Sequence, residues 1–140
     1  MANEAILVTE TELPIMMTVA NATAITKGSW LILANPMTVT VHAANDEAIC
    51  AGIAAEEKIA SDGKTEVAVY RRGIFIATGS AASSAGAVLA LSGTAQQLKT
   101  SDATCLQSIG CAISLEDCGG AAETMIVELM PGIGGAGGLS

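Results

Sequence analysis

Apolar and polar positions along this chain change over with a period near two, in runs too short and too β-branched for helices. "TVTVH" (Thr38 to His42), "EVAVYRR" (Glu66 to Arg72) and "TMIVEL" (Thr124 to Leu129) alternate as half-buried strands do, because successive strand side chains point to opposite faces. Between such runs stand Asn35-Pro36, Asp62-Gly63 and Ser92-Gly93, dipeptides that turn the chain. The pattern predicts strands at Ala5 to Val8, Ile15 to Val19, Trp30 to Leu33, Val39 to His42, Ala48 to Glu56, Glu66 to Arg72, Ile74 to Ala77, Val88 to Leu91, Gln97 to Thr100, Ile109 to Leu115 and Thr124 to Leu129. Helical periodicity is nearly absent, so the fold class is all-β.

The pattern also echoes itself. "ITKGSWLIL" (Ile25 to Leu33) resembles "SSAGAVLAL" (Ser83 to Leu91), which sets Gly28 on Gly86, 58 positions on. The same offset sets Gly52 on Gly110, Ala54 on Ala112, and "EVAV" from Glu66 on "TMIV" from Thr124. Agreement at one offset in three places points to two related β units. The expected architecture is a compact β-barrel or sandwich over residues 22–130, with an extended N-terminal arm over 1–21 and a Gly-rich tail over 131–140.

Composition narrows the partners. Fourteen acidic residues against six basic ones give a net charge of −8, which repels nucleic-acid phosphates and leaves no basic stripe to bind them. Hydrophobic residues make up 51% but aromatics only 2%, so the core must be aliphatic, with Trp30, Tyr70 and Phe75 as its rings. The uncharged run from Gly73 to Leu98 is broken by "TGSAASSAG" and "SGTAQQ", which fits strands and turns rather than a membrane span. The start, "MANEAILVTE", lacks the basic region of a signal peptide.

Candidate chemistry is sparse. "DGKT" (Asp62 to Thr65) ends like a phosphate-binding loop, but Lys58 stands where the first glycine is required and a β pattern follows where a helix is needed. Asp-Gly between two β-prone runs reads as a hairpin turn. Gly132-Ile133-Gly134-Gly135-Ala136-Gly137 satisfies the dinucleotide fingerprint, yet too few residues follow it in this sequence to form the helix that holds a pyrophosphate. Cys50, Cys105, Cys111 and Cys118 include no Cys-x-x-Cys pair and read as small buried hydrophobes, Cys111 with Cys118 being the pair to test for a disulfide. His42, near Asp46 and Glu47, reads as a solvent-side strand residue, and no Gly-x-Ser-x-Gly elbow supports a hydrolase. Glu56 and Glu57 are adjacent and point apart on a strand. A biotinyl or lipoyl carrier domain is the rival architecture, with Lys58 or Lys64 as the displayed lysine, although neither sits in that family's Met-Lys-Met or Asp-Lys-Ala. No cofactor or metal is expected.

Read in order, "MANEAILVTETELPIMMTVANATAITKGSWLIL", "AGIAAEEKIASDGKTEVAVYRRGIFIATG", "SSAGAVLALSG" and "SIGCAISLEDCGGAAETMIVEL" resemble the small capsid cement, or head decoration, proteins of tailed viruses. The resemblance covers nearly the whole chain and is one of pattern and order, without a chemical motif. It implies a non-enzymatic virion protein, made in the host cytoplasm, commonly a homotrimer, that binds the major capsid protein on the outer surface and holds neighbouring capsomers together. Some members have carried a recombinase label, to which the failed phosphate loop and the acidic charge lend no support. The apolar run outside the repeated units is then the expected capsid or inter-subunit contact: Ala2, Asn3, Glu4, Ala5, Ile6, Leu7 and Val8, with Leu13 and Pro14, where proline suits the junction at which an arm leaves the barrel.

Overall fold

A computed structural model describes residues 3–44, 48–100 and 109–134. Eleven strands run through them: β1 (Ile6–Thr9), β2 (Ile15–Val19), β3 (Trp30–Asn35), β4 (Thr38–Val41), β5 (Cys50–Ala54), β6 (Glu66–Tyr70), β7 (Gly73–Thr78), β8 (Val88–Leu91), β9 (Leu98–Thr100), β10 (Ile109–Ser114) and β11 (Thr124–Gly134). Each overlaps a strand that the alternation predicts, and no described residue is helical. Strands β2, β4, β3, β5 and β6 close in that order into a barrel. The closing β2–β4 contact is parallel, Thr18 on Thr38 and Val19 on Val39. The other six form an antiparallel sheet in the order β1-β7-β11-β10-β8-β9.

The two units are built alike, β2 to β6 answering to β7 to β11. In the first, the Gly28 amide donates to the Ala54 carbonyl; in the second, the Gly86 amide donates to that of Ser114. Gly28 and Gly86 both hold left-handed backbone, φ 90 and 88. Ile25 bridges Lys58 as Ser83 bridges Cys118, and the parallel contact that closes the barrel returns in the sheet as one bridge, Gly79 on Leu98. The 58-residue offset holds at Gly28 and at β6, but Lys58 answers to Cys118, 60 positions on. Gly52 and Ala54 therefore correspond to Ala112 and Ser114, and not to the Gly110 and Ala112 that the glycine match suggests. The stretch from Lys58 to Glu66 is two residues longer than that from Cys118 to Thr124, and this length difference is hidden in a match made at fixed spacing.

Side-chain alternation sorts the core into two layers. Leu31 enters the barrel with Met17, Val19, Ile25, Val39, Ala51, Ala54, Val67 and Val69. Its neighbour Trp30 faces the other way, into a cluster with Cys50, Ile53, Phe75, Leu89, Leu98, Met125 and Leu129 that joins barrel to sheet. On β5 the barrel-facing residues Ala51 and Ala54 are three apart, since the register slips by one opposite Leu31 and Ile32. Gly52 makes this bulge possible: at φ 141, a Cβ there would run into the Tyr70 carbonyl and come within 2.9 Å of the Val69 side chain.

The stretch read as an arm is extended, but it is held. β1 lies antiparallel on β7, with Ile6 on Ile76, Leu7 on Phe75 and Thr9 on Ile74. The Ala5 amide donates to the Gly28 carbonyl at 2.8 Å. β2, within residues 1–21, is a barrel strand, and β11 continues past residue 130 to Gly134.

His42 is not on the solvent side: it is 1% exposed. The outer face of β4 is covered at its end by the turn between β8 and β9. Gln96 in that turn takes left-handed backbone, φ 63, and its amide donates to His42 Nδ1 at 3.0 Å, while His42 Nε2 donates to the Ser92 carbonyl at 2.8 Å. The Gln96 side chain accepts from the Trp30 amide and donates to the carbonyls of Trp30 and His42, at 3.1 and 2.8 Å. Cys50, Cys111 and Cys118 are buried free thiols, so Cys111 and Cys118 are not joined. Burial pushes the Cys111 thiol well up, and its hydrogen-bonded neighbour is Cys50. Cys105 lies outside the described residues.

Candidate functional site

The motifs that could have carried chemistry are occupied by the fold itself. Asp62 to Thr65 cap the hairpin between β5 and β6, with Gly63 at φ 86. Asp62 accepts the amides of Lys64 at 2.9 Å and Ile59 at 3.3 Å, and the Gly63 amide donates to the Asn21 side chain at 2.7 Å. The Gly63 and Lys64 amides are thus engaged within the fold, and a strand follows where a phosphate loop has a helix. The Lys64 amide, then the Lys58 ammonium, hold the Asp62 carboxyl below the usual aspartate range.

Lys58 is 3% exposed. Its ammonium donates to the carbonyls of Asn21 at 2.7 Å, Thr23 at 3.1 Å and Ile59 at 3.3 Å, and meets Asp62 Oδ1 at 3.2 Å. A carrier lysine has to be displayed, and this one is enclosed. Lys64 is exposed. The Glu56 carboxylate accepts the Ala68 amide at 2.8 Å across the hairpin, while Glu57 is exposed, so the two do not share a site. His42 faces a Ser92 carbonyl rather than a hydroxyl, and Asp46 and Glu47 lie outside the described residues. Among the described residues no group of His, Cys, Asp and Glu is arranged to hold a metal ion.

The surface is more informative than any cleft. Six large apolar side chains in one short stretch are exposed: Ile6 61%, Leu7 41%, Val8 49%, Leu13 74%, Ile15 41% and Met16 50%. Contiguous exposed apolar patches mark interaction surfaces, whereas scattered apolar residues do not. The stretch is anchored from beneath, since Ala5 and Leu7 line a cleft with Ile53, Tyr70 and Phe75. The Tyr70 and Phe75 rings meet edge to face at 5.6 Å. Burial, and then its hydrogen bond to Glu10, raise the Tyr70 phenol above its ordinary range. Of the residues expected at this contact, Asn3 and Glu4 are half-buried, Ala5 is buried, Ile6, Leu7 and Val8 form an exposed edge strand, Leu13 is exposed and Pro14 half-buried. Ala2 lies outside the described residues. Ile15 and Met16 on β2 are exposed as well, which alternation in the sequence does not disclose, since it marks them only as strand residues.

These features define an all-β protein with exposed apolar side chains on β1, on β2 and between them. The family model of phage cement proteins matches residues 8–129, most of the sequence, and the chain belongs to that family of structural, capsid-associated phage proteins. No curated protein matches the chain.

Proposed function

We propose that this protein binds the outer surface of an assembled capsid and cements neighbouring capsomers, acting as a homotrimer, with Ile6, Leu7, Val8 and Leu13 at the main contact. The carrying observation is the exposed apolar stretch on an anchored edge strand. An edge strand offers main-chain hydrogen bonds to a partner, and its apolar side chains contribute about 25 cal/mol for each Å² removed from water. Many copies on one shell turn modest contacts into a large total. The net charge of −8 keeps decorated particles apart and disfavours nucleic acid as a partner.

Truncating the N-terminus would strip β7 and Phe75 of their cover, so point changes test the contact better. Ile6→Lys combined with Val8→Lys should leave the thermal melt near that of the parent. Occupancy on capsids assembled without this protein should fall at least tenfold, roughly 1.4 kcal/mol per copy. A variant that melts normally and decorates normally rules the contact out. Particle images showing single copies away from any symmetry axis would rule out the trimer.

A further inference from the structure

The likeness of the two units shows a second open strand edge, on β2. Within each unit, β2 answers to β7. Val67 lies on Met17 as Met125 lies on Ala77, and Glu66 lies on Thr18 as Thr124 lies on Thr78. Met16 therefore answers to Ile76, Ile15 to Phe75 and Pro14 to Ile74. In the sheet, those three β7 residues carry β1 on the edge turned away from β11. In the barrel, β4 takes up the corresponding edge of β2 only from Thr18 onward, where the Thr18 amide donates to the Met37 carbonyl at 2.7 Å. Since main-chain groups alternate sides along a strand, the Met16 amide and carbonyl point the same way as those of Thr18, toward a place that β4 does not reach. Met16 is 50% exposed, and Ile15 and Leu13 beside it are exposed as well.

We propose that this edge, at Pro14 to Met16, receives an extended segment of the capsid partner, paired with β2 as β1 is paired with β7. This rests on the capsid-binding reading above and adds where a strand of the partner docks. Charge selects the occupant. Glu56 and Glu66 line the cleft on the β6 flank of Met16, with Lys64 the cation in its lining, Glu12 lies four residues before Met16, and the chain as a whole carries a net charge of −8. The apolar strand that a second copy could offer, Ile6–Thr9, is flanked by Glu4, Glu10 and Glu12 and would bring carboxylates to carboxylates. An apolar strand with lysine or arginine at its flanks fits instead. Pro14 has no amide hydrogen, so pairing is limited to the Met16 amide and the carbonyls of Pro14 and Met16, a short ladder suited to a two- or three-residue contact.

The test uses the full chain and capsids assembled without it. A photo-crosslinking amino acid at position 16, followed by peptide mass spectrometry, should join Met16's position to an apolar, basic-flanked segment of the capsid protein. Met16→Pro removes the remaining donor, and Met16→Lys, at an exposed position, guards against a folding failure; each should lower occupancy about tenfold, while Leu115→Lys in the second unit should not. Crosslinks to another copy of this chain, or normal decoration by a folded Met16→Lys variant without capsid crosslinks, overturn the proposal while leaving capsid binding intact. If the parent chain itself fails to decorate capsids, the capsid-binding reading falls and this one with it.

Discussion

Lys58 places an ammonium where the second unit has the thiol of Cys118, at the same bridge position. Three carbonyls and one carboxylate enclose it, which is what a buried cation requires, since a charge taken out of water is tolerated only when paired and hydrogen-bonded. Lys58→Met keeps much of the side-chain volume but leaves those carbonyls and Asp62 facing an apolar group. A loss of about 3 kcal/mol is expected, measurable by chemical denaturation. Asp62 sets the pH behaviour of this loop. The folded chain holds the Asp62 carboxyl below its ordinary value, so between the folded and unfolded pKa values the unfolded chain binds more protons and stability rises with pH. Its contribution is therefore complete above the ordinary aspartate value near 4 and is lost as the pH falls through the folded value. Melting temperatures taken below pH 5 should fall more steeply for the parent than for Asp62→Asn; parallel slopes would remove this role.

Turns, more than strands, decide how the elements meet. The β3–β4 and β8–β9 turns each hold one non-glycine residue in left-handed backbone, Met37 at φ 53 and Gln96 at φ 63. Met37 is exposed, whereas Gln96 is buried and tied to Trp30 and His42. Gln96→Ala would take from the Trp30 amide its side-chain acceptor and remove the donor shared by the Trp30 and His42 carbonyls, at a cost of about 2 kcal/mol. The loss should appear as faster hydrogen exchange at Trp30 and along β3, and unchanged exchange there would show that the turn does not hold the barrel. This division explains what the sequence discloses. Every strand among the described residues was legible because alternation is local, and the Asp62-Gly63 hairpin because its chemistry is local too. The parallel closure of β2 on β4, the seating of β1 on β7 and the burial of His42 depend on partners tens of residues away. His42 misleads in particular because Val39 and Val41 mark one buried face, and nothing nearby in the sequence tells that Gln96 covers the other. The exposed apolar residues were half legible: Ile6 to Val8 stand out as a run between acids, whereas the exposure of Ile15 and Met16 is recognisable only once β2 is seen with an open edge.

Across the whole molecule, the two units share one core and should unfold as one. Trp30, Cys50 and Ile53 lie on the barrel's outer wall, yet they are buried only because Phe75, Leu89, Leu98, Met125 and Leu129 of the sheet pack on them. Separating the units would expose that wall and break the Gln96 contacts together. Scanning calorimetry should therefore give a single transition whose van't Hoff and calorimetric enthalpies agree, and a fragment ending at Arg72 should not melt cooperatively. Two resolved transitions, or a stable fragment, would contradict this. The coupling bears on binding, because the exposed stretch from Ile6 to Met16 starts on the sheet, where β7 holds β1, and ends on the barrel, where β6 holds β2. Both strands keep their places only while the units stay docked, so a change that loosens the shared core, such as Leu89→Ala, should weaken capsid occupancy at temperatures below the melt even though Leu89 is fully buried.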